Sequence, residues 1–458
     1  MSPVLLASLG ITLAAIVALA LWTGTHQKKK DKGSNAAIVA GVIIGTLVGG
    51  SSTVGTAQLA YTYGMSAWWF TLGAGISCLV LGLVYTVPLR RNGERTLVGM
   101  IRKEYGQTVG MTASVLNSVG TFINIISQIL SATAVVAVIA PSLGIGAAAA
   151  FSAVFMILYV VFGGTRGAGI VGIVKTILLY LAMMASGLMV LRMVGGTSSF
   201  VQMVRGIENP EGVRFFSLLA RGAGKDLGSA LSLLLGVLTT QTYAQGVLSA
   251  RSDGAGRAGA LLSAFLIPPI GVGGILVGLY MRAHADLYPG MTAKTALTTF
   301  ITAHMPSALA GVVLAGLFIA AVGTGAGLAL GISTMLNNDI VPRVTHRFDD
   351  PAKASRLGKL WIVLVLAAAG ILSCGSLGDI ILQFAFMSMG LRAAVVFMPL
   401  LGALWMPGKV DARWMLASVI ASPAAVFAGK LMGLPFDSLF LGMAVSVLCF
   451  AAGLAAKR

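Results

Sequence analysis

Two clusters of small polar residues stand where so apolar a chain would be expected to carry aliphatic side chains: "GGSSTVGT" at 49–56 and "TTQTYAQG" at 239–246. The first offers the hydroxyls of Ser51, Ser52, Thr53 and Thr56, on a stretch that Gly49, Gly50 and Gly55 free from helical dihedrals, with Gln58 just beyond. The second offers Thr240, Gln241 and Tyr243. A backbone N–H or C=O left unpaired in hydrocarbon is costly, so a helix unwinds there only where protein, water or a ligand takes up the freed groups. Hydroxyls, amides and free carbonyls in such a place suit coordination of a hard cation or hydrogen bonding of a small solute. The competing expectation is that the small residues only let helices approach closely.

Further polar side chains fall inside apolar runs: Thr71, Asn124, Gln128 and Gln383, with Trp68, Trp69 or Phe384 as candidate walls. Asn124 and Gln128 would equally serve as hydrogen bonds between helices, and a Trp pair as an anchor at the membrane surface. Two cations lie at membrane depth, Lys175 in "GIVGIVKTILLY" and Arg392 in "MGLRAAVVF". Each costs about 2.5 to 3.5 kcal/mol or more there, so each either snorkels to an aqueous face or serves the site, Arg392 by closing an inner gate. No Asp or Glu is expected at mid-membrane, since Asp226, Asp339 and Asp379 fall at the ends of runs. That argues against a carboxylate proton relay and a strongly cationic substrate. A cavity-facing Lys175 or Arg392 would favour an anionic or zwitterionic solute.

The surrounding chain sets this chemistry in a membrane. Of its 458 residues 57% are hydrophobic and 10% charged, with a mean hydropathy of +0.93, which fits a polytopic membrane protein rather than a soluble fold. Apolar runs long enough for the bilayer are expected at 3–22, 36–62, 64–88, 110–139, 144–162, 168–193, 227–250, 258–281, 307–335, 358–374, 379–403, 415–433 and 436–456. The first carries no basic residue before it and "KKKDK" at 28–32 after it, the reverse of a signal peptide. An N-terminus outside and a C-terminus in the cytoplasm then put some two thirds of the 31 Lys and Arg residues on the inner face. This explains the net charge of +17 without nucleic acid, because the basic residues lie in loops between apolar runs. Cys78, Cys374 and Cys449 have no metal or disulfide spacing and read as packing residues. The loops at 194–226 and 282–306 are long enough to hold short surface helices.

The seventh run starts five runs after the second, so a unit starting at the second would recur upside down, with an interrupted helix opening each copy. Paired broken helices in matching positions point to an inverted-repeat transporter with its site near the midplane. At this point three segments resemble the sodium:solute symporter family. "GGSSTVGTAQLAYTYGMSAWWF" is similar to its first core helix, "TTQTYAQGVLSARSDGAGRAG" to its sixth, and "AGLFIAAVGTGAGLALGISTMLNNDI" to its eighth. The resemblance spans about 36–400 and implies an all-α LeuT-type fold with a five-plus-five inverted repeat whose first and sixth core helices are discontinuous. Residues 1–35 would form an extra helix and basic loop, 36–193 the first repeat, 194–226 an outer loop, 227–403 the second repeat, and 404–458 two further helices.

The resemblance also implies a sodium ion between the first and eighth core helices, held by the carbonyls of Gly45, Val48 and Ala320 and by two hydroxyls that fall on Gly323 and Thr324. Only Thr324 can supply one. Lys175 lies near where many members carry an Asp, and in sodium-independent relatives of the wider superfamily a lysine of this helix takes the sodium position. Lys175 is therefore a candidate cation surrogate that could exchange a proton. The expectation is a secondary active transporter of a small organic solute, sodium-coupled or relying on Lys175, in the bacterial inner membrane. The four histidines fall in loops and there is no HExxH, which disfavours an enzyme, and no repeated filter suggests a channel. The remaining rival is a transporter-like sensor, which a signalling domain after the last helix would mark.

Overall fold

The computed structural model describes residues 2–26, 33–163, 168–208, 212–345, 350–374 and 381–457. The expectations resting on Lys28 to Lys32, His346, Asp379 and Arg458 lie outside them. Among the described residues the regular structure is helical except for one parallel bridge between Ser34 and Ala250. Ten helical stretches are long and apolar enough to cross a membrane, so the protein is an integral membrane protein.

Helix α1 (Pro3–His26) precedes a helix in two pieces, α2 (Ala36–Leu47) and α3 (Thr56–Tyr63). Next come α4 (Trp69–Val80) and α5 (Thr86–Asn92), joined through a wide helical turn at Leu81–Tyr85, and the short α6 (Leu97–Tyr105). Three long helices follow, α7 (Gln107–Ile139), α8 (Gly144–Gly163) and α9 (Ala168–Val194), and then the short α10 (Thr197–Arg205). A second helix in two pieces, α11 (Ala223–Leu238) and α12 (Gln241–Leu248), leads into α13 (Asp253–Ala283) and the short α14 (Ala296–His304). The order closes with α15 (Ser307–Met335), the four-residue α16 (Val341–Val344), α17 (Pro351–Cys374), α18 (Ile381–Trp405), α19 (Ala412–Leu431) and α20 (Leu439–Ala456). Both long loops thus hold short helices, α10 in one and α14 in the other.

The breaks are narrower than the polar clusters that announce them. Val48 leaves the helix with φ −87° and ψ 102°, and Ser51–Gly55 already coil again as a wide, π-type turn. Only Val48, Gly49 and Gly50 therefore separate the two pieces of the first, and Gly50 already has helical dihedrals of φ −62° and ψ −37°. In the second, Thr239 and Thr240 alone interrupt the helix, and Gln241 onward is helical.

Small residues bring α2 and α9 together. A Cβ on Gly45 of α2 would stand 2.7 Å from the Cα of Gly172 on α9, so the two backbones touch. One turn after Gly172, Lys175 is thereby carried against the unwound end of α2. Between α3 and α4, Gly64 takes φ 62° with the Phe215 carbonyl where a side chain would be, a position only glycine fills without strain. The amide of Met65 and the indole of Trp69 donate to Phe215 (2.7 Å) and Leu218 (2.8 Å), which ties the loop before α11 down onto this corner.

Each end of the bundle carries a buried acid held by an arginine. Asp226, in the first turn of α11, accepts from Arg221 at 2.6 Å and from Ser66 at 2.5 Å. The Arg221 guanidinium also lies 5.5 Å from the ring centre of Phe386 on α18. Toward the other end Asp339 accepts from Arg102 at 3.2 Å and Thr96 at 3.3 Å, joining α6 to the segment after α15.

Candidate solute and cation site

The unwound Val48–Gly50 segment exposes amides and carbonyls at a place lined by α7, α9 and α15. Its amides are matched one by one. Gly49 N–H donates to the Ser52 hydroxyl at 2.8 Å, and Gly50 N–H donates to Oε1 of Gln128 at 2.9 Å. The Gln128 amide nitrogen in turn donates to Ser51 at 2.8 Å. Ser51 and Ser127 share a 2.9 Å hydrogen bond, and Ser127 also donates to Asn124. Ser52 and Thr53 return their protons to the Gly49 carbonyl, both at 2.9 Å, and Thr56 donates to the Ser51 carbonyl. All of these side chains are buried. They form one network in which the Gly49 and Gly50 amides each find a side-chain acceptor, as burial in an apolar medium demands.

Beside it the carbonyls of Gly45 and Val48 meet Lys175 and Thr324. Thr324 Oγ1 on α15 lies 3.5 Å from the Val48 carbonyl, with the buried Ala320 one turn earlier. The Nζ of Lys175, itself 4% exposed, donates to the Gly45 carbonyl at 2.6 Å and to Thr324 Oγ1 at 2.7 Å. A Cβ on Gly323 would stand 3.8 Å from the same nitrogen. The ammonium therefore does not snorkel. It lies among Gly45, Val48, Gly323 and Thr324, on oxygens that a small cation could also use.

The second break holds the other buried cation. Arg392, at mid-length in α18, is 0% exposed and donates to Thr240 Oγ1 at 2.7 Å, to the Ser388 carbonyl at 3.2 Å and to Met389 Sδ at 3.0 Å. Thr240 passes its own proton to the Gly236 carbonyl at 2.5 Å. The equally buried Tyr243 lies beside the guanidinium.

Several candidates from the sequence are engaged elsewhere. Gln241 accepts from Leu97 N–H at 2.8 Å and donates to the Arg95 carbonyl at 3.2 Å, clamping α6 onto α12. Gln58 accepts from Ile381 N–H at 2.9 Å, at the start of α18. Thr71 leans on Pro268 O of α13 at 3.4 Å, next to Trp68, whose indole donates to the same carbonyl at 3.0 Å. Gln383 is exposed on α18. Ser51, Ser52, Thr53, Thr56, Asn124 and Gln128 are brought together, and Thr240 and Tyr243 meet at Arg392. Ser127 and Ser131 belong to the same wall and were missed from the sequence, although Asn124, Ser127, Gln128 and Ser131 follow the i, i+3, i+4, i+7 spacing of one helix face. The Arg221–Asp226 and Arg102–Asp339 pairs were missed as well, because only the fold joins their partners.

Two helices interrupted in mid-membrane, with polar networks at both breaks, define the class of secondary transporters. A sequence model of the sodium:solute symporter family matches residues 34–421, and the chain belongs to that family. This membership implies sodium as the coupling ion and a small solute as the cargo, and the family is one of transporters rather than enzymes. The chain is 28% identical over 177 residues to the uncharacterized symporter YwcA of Bacillus subtilis (strain 168), a match covering 36% of this chain and 34% of that relative. Among solved structures it resembles the substrate-bound outward-open state of a Na+-coupled sialic acid symporter, with a TM-score of 0.81 and 19% identity over 100% of this chain and 97% of the other. It also resembles MHP1, a nucleobase-cation-symport-1 family transporter, in a closed conformation with bromovinylhydantoin bound, with a TM-score of 0.54 and 13% identity over 92% of each.

Gln128→Leu leaves the Gly50 amide without its acceptor and is expected to cost about 1 to 3 kcal/mol, the penalty of a buried unsatisfied donor. Gln128→Glu keeps an acceptor oxygen and should lose less. The check is the melting temperature of the purified variants; equal melting of the Gln128→Leu variant and the unaltered protein would mean that Gln128 does not hold the break.

Proposed function

We propose that the protein carries a small anionic or zwitterionic organic solute across the membrane by alternating access, as a sodium-coupled member of its family. The observation that supports the charge preference is Arg392. Four Lys, Arg or Asp side chains are buried among the described residues: Lys175, Asp226, Asp339 and Arg392. The two acids are each paired with an arginine. Neither Lys175 nor Arg392 has an acid partner there. A buried unpaired charge is expensive, and a carboxylate on the solute would supply the missing counter-charge beside Thr240 and Tyr243. Ser51, Ser52, Thr53, Thr56, Asn124 and Gln128 would contribute the hydroxyls and amides of the opposite wall.

In this reading 36–193 and 227–403 are inverted repeats that rock about the two breaks, joined by the 194–226 loop and flanked by the helices of 1–35 and 404–458. The excess of basic residues on one face favours a bacterial inner membrane with the N-terminus outside and the C-terminus in the cytoplasm. Gln58, Thr71, Gln241 and Gln383 would then act as gate or packing residues rather than as solute ligands.

Lys175 favours a second reading, in which its ammonium takes the sodium position on Gly45, Val48, Ala320, Gly323 and Thr324 and transport no longer needs sodium. The 2.6 Å and 2.7 Å contacts of Lys175 Nζ are what support it.

A melting-temperature screen of small carboxylates, amino acids, sugars and nucleobases tests the charge preference, because a ligand at a hundred times its Kd stabilises by about 2.7 kcal/mol. Carboxylates or amino acids should give the hits, and Arg392→Gln should erase them. Hits confined to neutral sugars would overturn the proposal. With the hit in hand, uptake into proteoliposomes separates the two readings of the cation. Sodium coupling predicts uptake that rises with an imposed sodium gradient and a sodium requirement on the order of tenfold higher in Thr324→Ala, equivalent to about 1.4 kcal/mol. The lysine reading predicts uptake indifferent to sodium and abolished in Lys175→Ala.

A further inference from the structure

Where α5, α6 and the end of α18 meet lies a cleft of about 430 Å³ that the transport site does not use. Its floor is apolar, built by Val87, Pro88, Leu404 and Trp405. Its rim carries Arg91 and Lys103, both exposed. Arg91 has no hydrogen bond or ion pair among the described residues, and Lys103 spends one of its three donors on the Asn92 carbonyl at 2.8 Å. The single acid on the rim, Glu104, accepts from the Gly408 amide at 2.5 Å, while the neighbouring Arg102 turns away to Glu94 and Asp339. The rim is therefore net positive, with at least two free cationic donor groups.

The surface leading into the cleft is equally particular. Leu79, Leu83 and Val84 are 39%, 57% and 50% exposed, so an apolar track runs along the helical stretch from α4 to α5 and ends at Arg91. Trp405, 40% exposed and edge-on to Tyr85 at 4.8 Å, marks the level of the membrane surface, where Trp rings settle. An apolar track, then an indole, then two unpaired cations is the profile of a phospholipid in section.

We propose that this cleft binds one anionic phospholipid, its phosphate on Arg91 and Lys103 and an acyl chain along Leu83 and Val87. Charge complementarity selects the occupant: a basic pocket between helices on the basic face of a membrane protein recognises anionic headgroups, whereas a zwitterionic lipid gains less from two cations. The site adjoins α6, which also carries Arg102 on Asp339 and Leu97 on Gln241, so a bound lipid would brace the contact between α6 and α12. The lipid site depends on neither the solute nor the coupling ion.

The test uses the delipidated full-length protein in detergent, given phosphatidylglycerol or phosphatidylcholine of the same acyl composition, or inorganic phosphate. Phosphatidylglycerol should raise the melting temperature by several degrees more than phosphatidylcholine, and native mass spectrometry should show one phosphatidylglycerol retained. The double variant Arg91→Gln, Lys103→Gln should lose both effects, while Lys353→Gln, an exposed cation outside the cleft, should keep both. The mass spectrum reads lipid retention even if the double variant melts lower. Equal shifts with the two lipids, retention by the double variant, or an equal shift with phosphate alone would overturn the proposal.

Discussion

Everything at the centre of this protein follows from one constraint: in hydrocarbon, a backbone group freed from its helix must find a partner. The chain interrupts two helices and answers with hydroxyls and amides, some from the interrupted helix itself and one from another helix. Gly50 N–H is met by Gln128 from α7, and Gly49 N–H by Ser52 from its own next turn. What the helix gives up in backbone hydrogen bonds becomes a set of directed oxygens. The carbonyls of Gly45 and Val48 face Lys175 and Thr324 for the same reason.

The second constraint is charge. Lys175 and Arg392 are both buried without an acid among the described residues, while Asp226 and Asp339 hold arginines at the two ends of the bundle. Buried acids thus lock the ends, and buried cations occupy the middle. Such a distribution is what motivates the proposal of an anionic or zwitterionic solute. The glycine contact of α2 with α9 is what makes this possible, since Gly45 and Gly172 bring the Lys175 helix within hydrogen-bonding distance of the break.

Much of this was legible in the sequence, and the reason is local. A polar, glycine-rich octet in an apolar run can be read without knowing its neighbours, as can a lone Lys or Arg at membrane depth. The widths of the breaks could not be read, because Ser51–Gly55 coil into a wide turn rather than unwinding. Partners distant in sequence were equally hidden. Gln241 answers Leu97, 144 residues away, and Gln58 answers Ile381, 323 residues away; from sequence alone both looked like ligands for a solute. Arg392 was visible as a cation, but its burial against Thr240 depends on how α18 packs on α11.

Alternating access requires the two breaks to form one mid-membrane site open to each side in turn. The substitution Thr240→Cys, in a background with Cys374 and Cys449 replaced by serine, tests it through a membrane-impermeant thiol reagent applied to right-side-out and to inside-out vesicles. Labelling is expected from both sides, with solute binding slowing both reactions. Labelling from one side only, under every ionic condition, would contradict it.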